Sequence, residues 1–191
     1  MRRTGPLLFI ESGDSFSWNV VETLPFARER IQLLSGADVA AVERALPLAS
    51  AVVLGPGPTD PLRAGLVAYV HAAAARGLPL LGICLGHQAL GLAFGASLLR
   101  VTPCHGEQDL ALFETSRCFP GCAPEQTVMR YHSLALDDVR PPLRVVARNP
   151  GGLVMAVEHE ALPMAGLQFH PDSYATPNGR ALVASFFEGL A

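Results

Sequence analysis

Lysine is absent from this chain: all 14 of its basic residues are arginine. That excludes Schiff-base chemistry and a Walker-type phosphate loop, both of which need a lysine amine. Charge of either sign is also scarce. Only 16% of the residues are charged and half are hydrophobic, whereas an average soluble protein carries about 25% charged residues. A disordered or solvating chain has the opposite balance. The net charge of −3 leaves no basic footprint for nucleic acid. The four cysteines (Cys84, Cys104, Cys118 and Cys122) are too few and too scattered for a disulfide framework in 191 residues. Cys118 and Cys122 stand four apart, but no second Cys or His pair sits at ligand spacing, so no metal is expected. Long apolar runs are missing too. The opening segment has twin arginines and only Leu7–Ile10 as an apolar run before Glu11, where a secretory leader needs about 7–15 apolar residues. No uninterrupted stretch reaches the roughly 18 residues of a membrane span. The expectation is a cytoplasmic chain with neither a membrane nor a nucleic-acid partner.

What is present reads as a single α/β domain over residues 1–191, since about 100–200 residues is the usual span. Three short apolar runs, 6–11, 50–55 and 78–84, are continuous rather than alternating. A parallel sheet covered by helices on both faces requires that pattern. Between the second and third runs, 59–77 reads as a crossover helix. Thr59 or Asp60 would cap it, Pro61 would open it and Gly77 would close it, with Leu62, Leu66, Tyr69 and Val70 as its apolar stripe. A second helix follows Cys84 and ends at Gly95. Residues 109–115, 127–134, 143–149 and 153–160 are short strand-like segments between Pro, Gly and Asn turns. They suggest a smaller antiparallel extension of a mostly parallel open sheet. One more buried strand spans 164–170. A final helix would be capped by Thr176, with Pro177 at its first position and Leu182, Phe186 and Leu190 stacked along one face.

The segment most suggestive of chemistry is Gly82-Ile83-Cys84-Leu85-Gly86. It has the Gly-x-nucleophile-x-Gly form of an elbow, with cysteine in place of serine. A sharp strand-to-helix turn lifts such a side chain above the sheet edge, at a helix N-terminus whose dipole favours thiolate. Taken alone, an unpaired cysteine is as often a small buried hydrophobe. A thiolate nucleophile needs a base, and His170 also ends a buried strand, so both would reach the same sheet edge. Asp172, two residues on, can accept from the other imidazole nitrogen and fix its tautomer. His71 falls in a helix, His87 follows the elbow, and His105 and His159 read as residues of polar turns. Packed or solvated roles suit all four, whereas His132 is ambiguous. The strand-ending Gly55-Pro56-Gly57-Pro58 loop offers backbone N–H groups towards an oxyanion, with Leu85 N–H as the second donor. Read alone, it is an ordinary strand-to-helix turn.

Together these segments resemble the class I, triad-type glutamine amidotransferases. The similarity is to the small glutaminase subunit of anthranilate synthase and aminodeoxychorismate synthase. It covers essentially the whole chain in order: the opening strand with Asp14-Ser15-Phe16, the Gly-Pro-Gly-Pro loop, the elbow, then Pro103-Cys104-His105-Gly106, Met129–Leu134 and Leu167–Gly179. The resemblance implies that Cys84 attacks the side-chain amide of glutamine and that Gly57 and Leu85 N–H groups hold the oxyanion. His170 would move the protons and Asp172 would orient it. Gln88 and the backbone at Ser133 and Leu134 would hold the substrate's amino-acid end. It implies no cofactor, and a large chorismate-binding synthase subunit to receive the ammonia.

Two positions depart from the family pattern. His-Pro-Asp stands at 170–172 where His-Pro-Glu is usual, and Glu107 follows His105-Gly106 where a basic residue is common. A shorter carboxylate puts the orientation of His170 at stake, since a misplacement of about 1 Å can cost about a hundredfold in rate. A free-standing γ-glutamyl hydrolase and a catalytically inactive partner-binding subunit are the alternatives. Which product the partner makes is not written in this chain.

Overall fold

The continuous apolar runs pair directly in the computed structural model, which describes residues 4–189. The strands Leu7–Glu11 (β1), Ile31–Ser35 (β2), Ala51–Leu54 (β3), Leu80–Ile83 (β4) and Met164–Leu167 (β11) are all parallel, in the order β2-β1-β3-β4-β11. Val154–His159 (β10), Leu143–Arg148 (β9), Glu107–Phe113 (β6) and Glu125–Arg130 (β7) continue the same sheet antiparallel, making nine strands. A separate antiparallel pair joins Ser97–Arg100 (β5) to Leu134–Asp137 (β8).

Alternation along the central strands divides the core in two. Leu7 and Phe9 face a layer built with Val20 and Val21 of Ser17–Thr23 (α1) and Leu182, Val183 and Phe186 of Gly179–Glu188 (α5). Leu8 and Ile10 face the other layer, with Val42 of Val39–Ala45 (α2), Tyr69 and Val70 of Leu66–Ala75 (α3), and Ala89 and Leu90 of Leu85–Ala93 (α4). Side chains as completely buried as Phe9, Phe169 and Phe186 each stabilise such a core by about 1.5–3 kcal/mol. The architecture is therefore α/β with helices on both faces. Among the described residues, no helix is long and apolar enough to cross a membrane.

Several local readings are corrected. The crossover helix starts at Leu66 rather than near 60. Asp60 does cap, but it caps a turn: its Oδ1 accepts from the N–H groups of Leu62 and Arg63. The chain then passes through Gly65 in a left-handed conformation, so Leu62 is left 66% exposed instead of joining the stripe. Thr176 does not cap the last helix, which begins at Gly179 behind Asn178. Its hydroxyl instead accepts from Met129 N–H and donates to the His170 carbonyl. Leu190 lies outside the described residues. The 127–134 segment divides between β7 and β8 because residues 131–133 leave the ladder to form a loop. The strand read over 164–170 stops at Leu167. His159 closes β10, buried, and its Nδ1 accepts from Ala161 and Leu162 N–H groups.

Candidate functional site

The site lies where β4 and β11 end side by side. Cys84 N–H donates to the Leu167 carbonyl at 2.8 Å, which fixes the elbow to the neighbouring strand. Cys84 itself takes φ 51° and ψ −98°, a conformation outside the regions open to an ordinary side chain. Such strain costs about 1–3 kcal/mol and persists only where the surroundings enforce it. Here the two flanking glycines allow it. A Cβ on Gly82 would lie 2.4 Å from the Gly86 carbonyl, and one on Gly86 would lie 2.3 Å from the Leu54 carbonyl oxygen. Only bare backbone lets strand, turn and helix approach so closely.

His170 reaches the same point by a different route. Its N–H donates to the Met129 carbonyl at 2.9 Å, an isolated antiparallel bridge to β7, while Thr176 holds its own carbonyl. The ring meets Phe16 and Tyr131 edge-on, and those two rings stack on each other. On one side its Nδ1 lies 3.3 Å from Asp172 Oδ1, with both side chains nearly inaccessible. That is ion-pair range, but the two atoms are out of line for a well-formed hydrogen bond. Burial works against a charged ring here. The contacts with Asp172 and the Cys84 sulfur, and the electrostatic pull of both, outweigh it and push the His170 pKa up to about 10.

A cavity of about 240 Å³ opens beside the sulfur, lined by Gly57, Pro58, Cys84, Leu85 and Gln88. Tyr131, His132, Ser133 and Leu134 also line it. The residues expected to bind substrate or hold an oxyanion, Gly57, Leu85, Gln88, Ser133 and Leu134, therefore share one space with Cys84. His170 and Asp172 stand next to it rather than in its lining. Gln88 Nε2 donates to the Leu134 carbonyl at 3.0 Å and to Gln168 Oε1 at 3.3 Å. Gln168 Nε2 in turn points at Cys84 Sγ from 3.8 Å. Nothing in the local sequence singled out Gln168, which is completely buried between the elbow helix and the sulfur.

The remaining histidines separate cleanly. His132 accepts at Nε2 from Arg130 Nε and donates from Nδ1 to the Leu134 carbonyl. Burial, then the Arg130 charge, push its pKa down to about 4. Burial likewise pushes His87 down to about 3. Its ring packs beside Gly166, whose backbone offsets only part of that shift. His71 is exposed, and His105, exposed as well, lies in the lining of the Cys84 cavity. Among the described residues, no group of three or more His, Cys, Asp or Glu side chains is arranged to hold a metal ion. Cys118 instead packs beside Glu158, and its thiol is pushed up to about 12 by burial and by that carboxylate.

Comparison with known proteins gives a consistent outcome. The family model described as Glutamine amidotransferase class-I matches residues 8–190. Anthranilate synthase component 2 of Mycobacterium tuberculosis (strain ATCC 25618 / H37Rv) is 38% identical over 186 residues, covering 94% of this chain and 80% of that one. The Azospirillum brasilense protein of the same name is 36% identical, over 94% of both chains. Aminodeoxychorismate synthase component 2 of Klebsiella aerogenes is 33% identical, over 94% of this chain and 98% of its own. Among solved structures, a Thermotoga maritima glutamine amidotransferase superposes with a TM-score of 0.72 at 19% identity, over 96% of this chain and 83% of that one, a likeness of fold.

Proposed function

The chain belongs to the class-I glutamine amidotransferase family, and from that membership we propose that it is the glutaminase subunit of a chorismate-using synthase. In this reading residues 1–191 form one cytoplasmic glutamine amidotransferase domain. It hydrolyses glutamine and passes ammonia to a large partner subunit that makes anthranilate or aminodeoxychorismate. Relatives named as the second component of such synthases support the partner, and one cavity shared by Cys84, Gly57, Leu85, Gln88, Ser133 and Leu134 carries the chemistry.

The steps follow from the placement of groups. The Cys84 sulfur attacks the amide carbon of the glutamine side chain, forming a C–S bond while the carbonyl oxygen takes up the negative charge. Gly57 and Leu85 N–H groups hold that oxyanion; the N–H of a helix's first residue has no partner within its own helix. The tetrahedral centre collapses, the C–N bond breaks, and His170 gives its proton to the departing nitrogen, which leaves as ammonia. A γ-glutamyl thioester remains on Cys84. The now neutral His170 takes a proton from water, hydroxide adds to the thioester, and glutamate leaves as the sulfur is regenerated. Asp172 keeps the imidazole oriented and balances its charge through both stages. Gln88 and the 133–134 backbone hold the amino-acid end, so a ligand that cannot match those donors and acceptors is rejected.

Cys84→Ala tests this in the assembled synthase. Glutamine-dependent synthesis should vanish while ammonia-dependent synthesis persists. Intact glutamine-dependent synthesis would remove Cys84 from the mechanism.

A further inference from the structure

Tyr131, His132 and Ser133 form a wall of the cavity, yet they lie between β7 and β8 and belong to no strand. Two backbone bonds tie this loop to its neighbour: Val101 N–H donates to the Ser133 carbonyl, and Cys104 N–H to that of His132. The Leu134 carbonyl is held differently, by two side chains at once. His132 Nδ1 reaches it at 2.9 Å and Gln88 Nε2 at 3.0 Å.

The His132 ring is itself fixed from behind. Arg130 Nε can only donate, so the His132 Nε2 it meets at 3.0 Å must be the acceptor. The proton then resides on Nδ1, where the Leu134 carbonyl needs it. Arg130 is in turn immobilised by Nη1 on Asp109 Oδ2 at 2.7 Å, with its side chain only 13% exposed. The Asp109 carboxylate also receives Asn149 Nδ2 and Leu110 N–H, each at 2.8 Å.

We propose that Arg130, braced by Asp109, is a positioning residue for glutamine: it sets the His132 tautomer, and through it the Leu134 carbonyl and the binding wall at 133–134. The inference rests on the glutaminase reading above and assigns that reading a specificity element outside the cavity. The guanidinium fork suits the task because it serves two partners in two directions from one plane. A lysine at 130 has three N–H donors but only one nitrogen, so an ammonium seated on Asp109 where Nη1 stands leaves the Nε position beside His132 empty. Arg130→Lys therefore separates positioning from mere charge pairing, and Arg130→Met removes both.

The test labels Cys84 in the full chain with two electrophiles. A diazoketone analogue of glutamine needs the binding wall, whereas iodoacetamide needs only the sulfur. In Arg130→Lys, labelling by the analogue should slow about tenfold, the factor that accompanies loss of one hydrogen bond involving a charged group. The loss should appear as a higher half-saturating concentration with an unchanged maximal rate, and iodoacetamide should react as with wild type. Should Arg130→Met fail to fold, Arg130→Lys still decides. Unchanged labelling of Arg130→Lys by the analogue would overturn the proposal, as would an equal loss with both reagents, which signals general disruption. If the analogue failed to label even wild type while iodoacetamide did, the glutamine reading itself would fall, and this inference with it.

Discussion

Replacing Asp172 by Asn keeps the shape of the side chain and removes its charge, so its effect can be worked from the geometry. Unit charges 3.3 Å apart attract by about 5 kcal/mol at an effective dielectric of about 20. That corresponds to between about three and four powers of ten in the ionisation constant of the His170 ring. In wild type the ring stays protonated up to about pH 10. In Asp172→Asn it should titrate back in the ordinary histidine range, because burial then faces only the contact with Cys84. The direct assay is an NMR titration of the His170 ring nitrogens in both proteins.

The same change has a stability signature whose sign is fixed. The folded ring binds its proton more tightly than an unfolded histidine at about pH 6.5. The pair's contribution is therefore complete below about pH 6.5 and disappears as pH rises through about 10. Between pH 6 and pH 10 the stability gap between wild type and Asp172→Asn, read from urea melts, should narrow by about 4 kcal/mol. Glutamine hydrolysis should fall about a hundredfold in kcat, as expected when a reacting group loses its orientation. An unchanged ring titration would refute the pairing of Asp172 with His170, whatever the activity did.

Two further outcomes can be measured on the same material. Gly86→Ala would force a Cβ to within 2.3 Å of the Leu54 carbonyl oxygen, a backbone atom that cannot rotate away. It should cost about 1–3 kcal/mol and a large share of the activity, whereas Gly151→Ala, which would meet only the Asn149 side chain at 3.4 Å, should match wild type in thermal melts. Acid should weaken the fold well before its carboxylates titrate. His87 and His132 are held neutral, with pKa values pushed down to about 3 and about 4. The unfolded chain thus binds protons that the folded one refuses as pH falls below about 6.5, and each residue should cost about 2 kcal/mol between pH 7 and pH 5. His170 offsets less than about 1 kcal/mol of this. Equal stability at pH 7 and pH 5 would contradict the burial of both rings.

The parts of this molecule that declare themselves in sequence are those whose cause is local. Uninterrupted apolar runs mark β1, β3 and β4 because strands covered on both faces have no solvent side to encode. The elbow is legible because two glycines and a cysteine at fixed spacing answer a steric demand of the turn itself. The edge strand β2 escaped notice because its Gln32 and Ser35 face solvent and its Leu33 and Leu34 are only partly covered. Helices α1 and α2, at seven residues each, are too short to show a full apolar stripe. Thr176 looked like a cap because Thr-Pro usually opens a helix. Its actual partners, Met129 and His170, are distant in the chain or on another element. Gln168 and Arg130 were invisible for the same reason: each owes its place to side chains brought together only by folding.

His132 shows what geometry adds. In sequence it is ambiguous, and in the fold both it and His170 are buried beside the cavity that holds the Cys84 sulfur. Their surroundings drive them in opposite directions. His170 has a carboxylate and the Cys84 sulfur as neighbours and holds its proton to about pH 10; His132 faces a guanidinium and gives up its second proton near pH 4. When two titratable groups in one site are pushed apart in this way, their roles follow. A ring locked neutral by a donor on one side and an acceptor on the other is a brace. The charged ring can deliver a proton to a departing amine. In the proposed reaction, proton delivery to the departing ammonia therefore falls to His170, while His132 stays neutral throughout and keeps its hold on the Leu134 carbonyl.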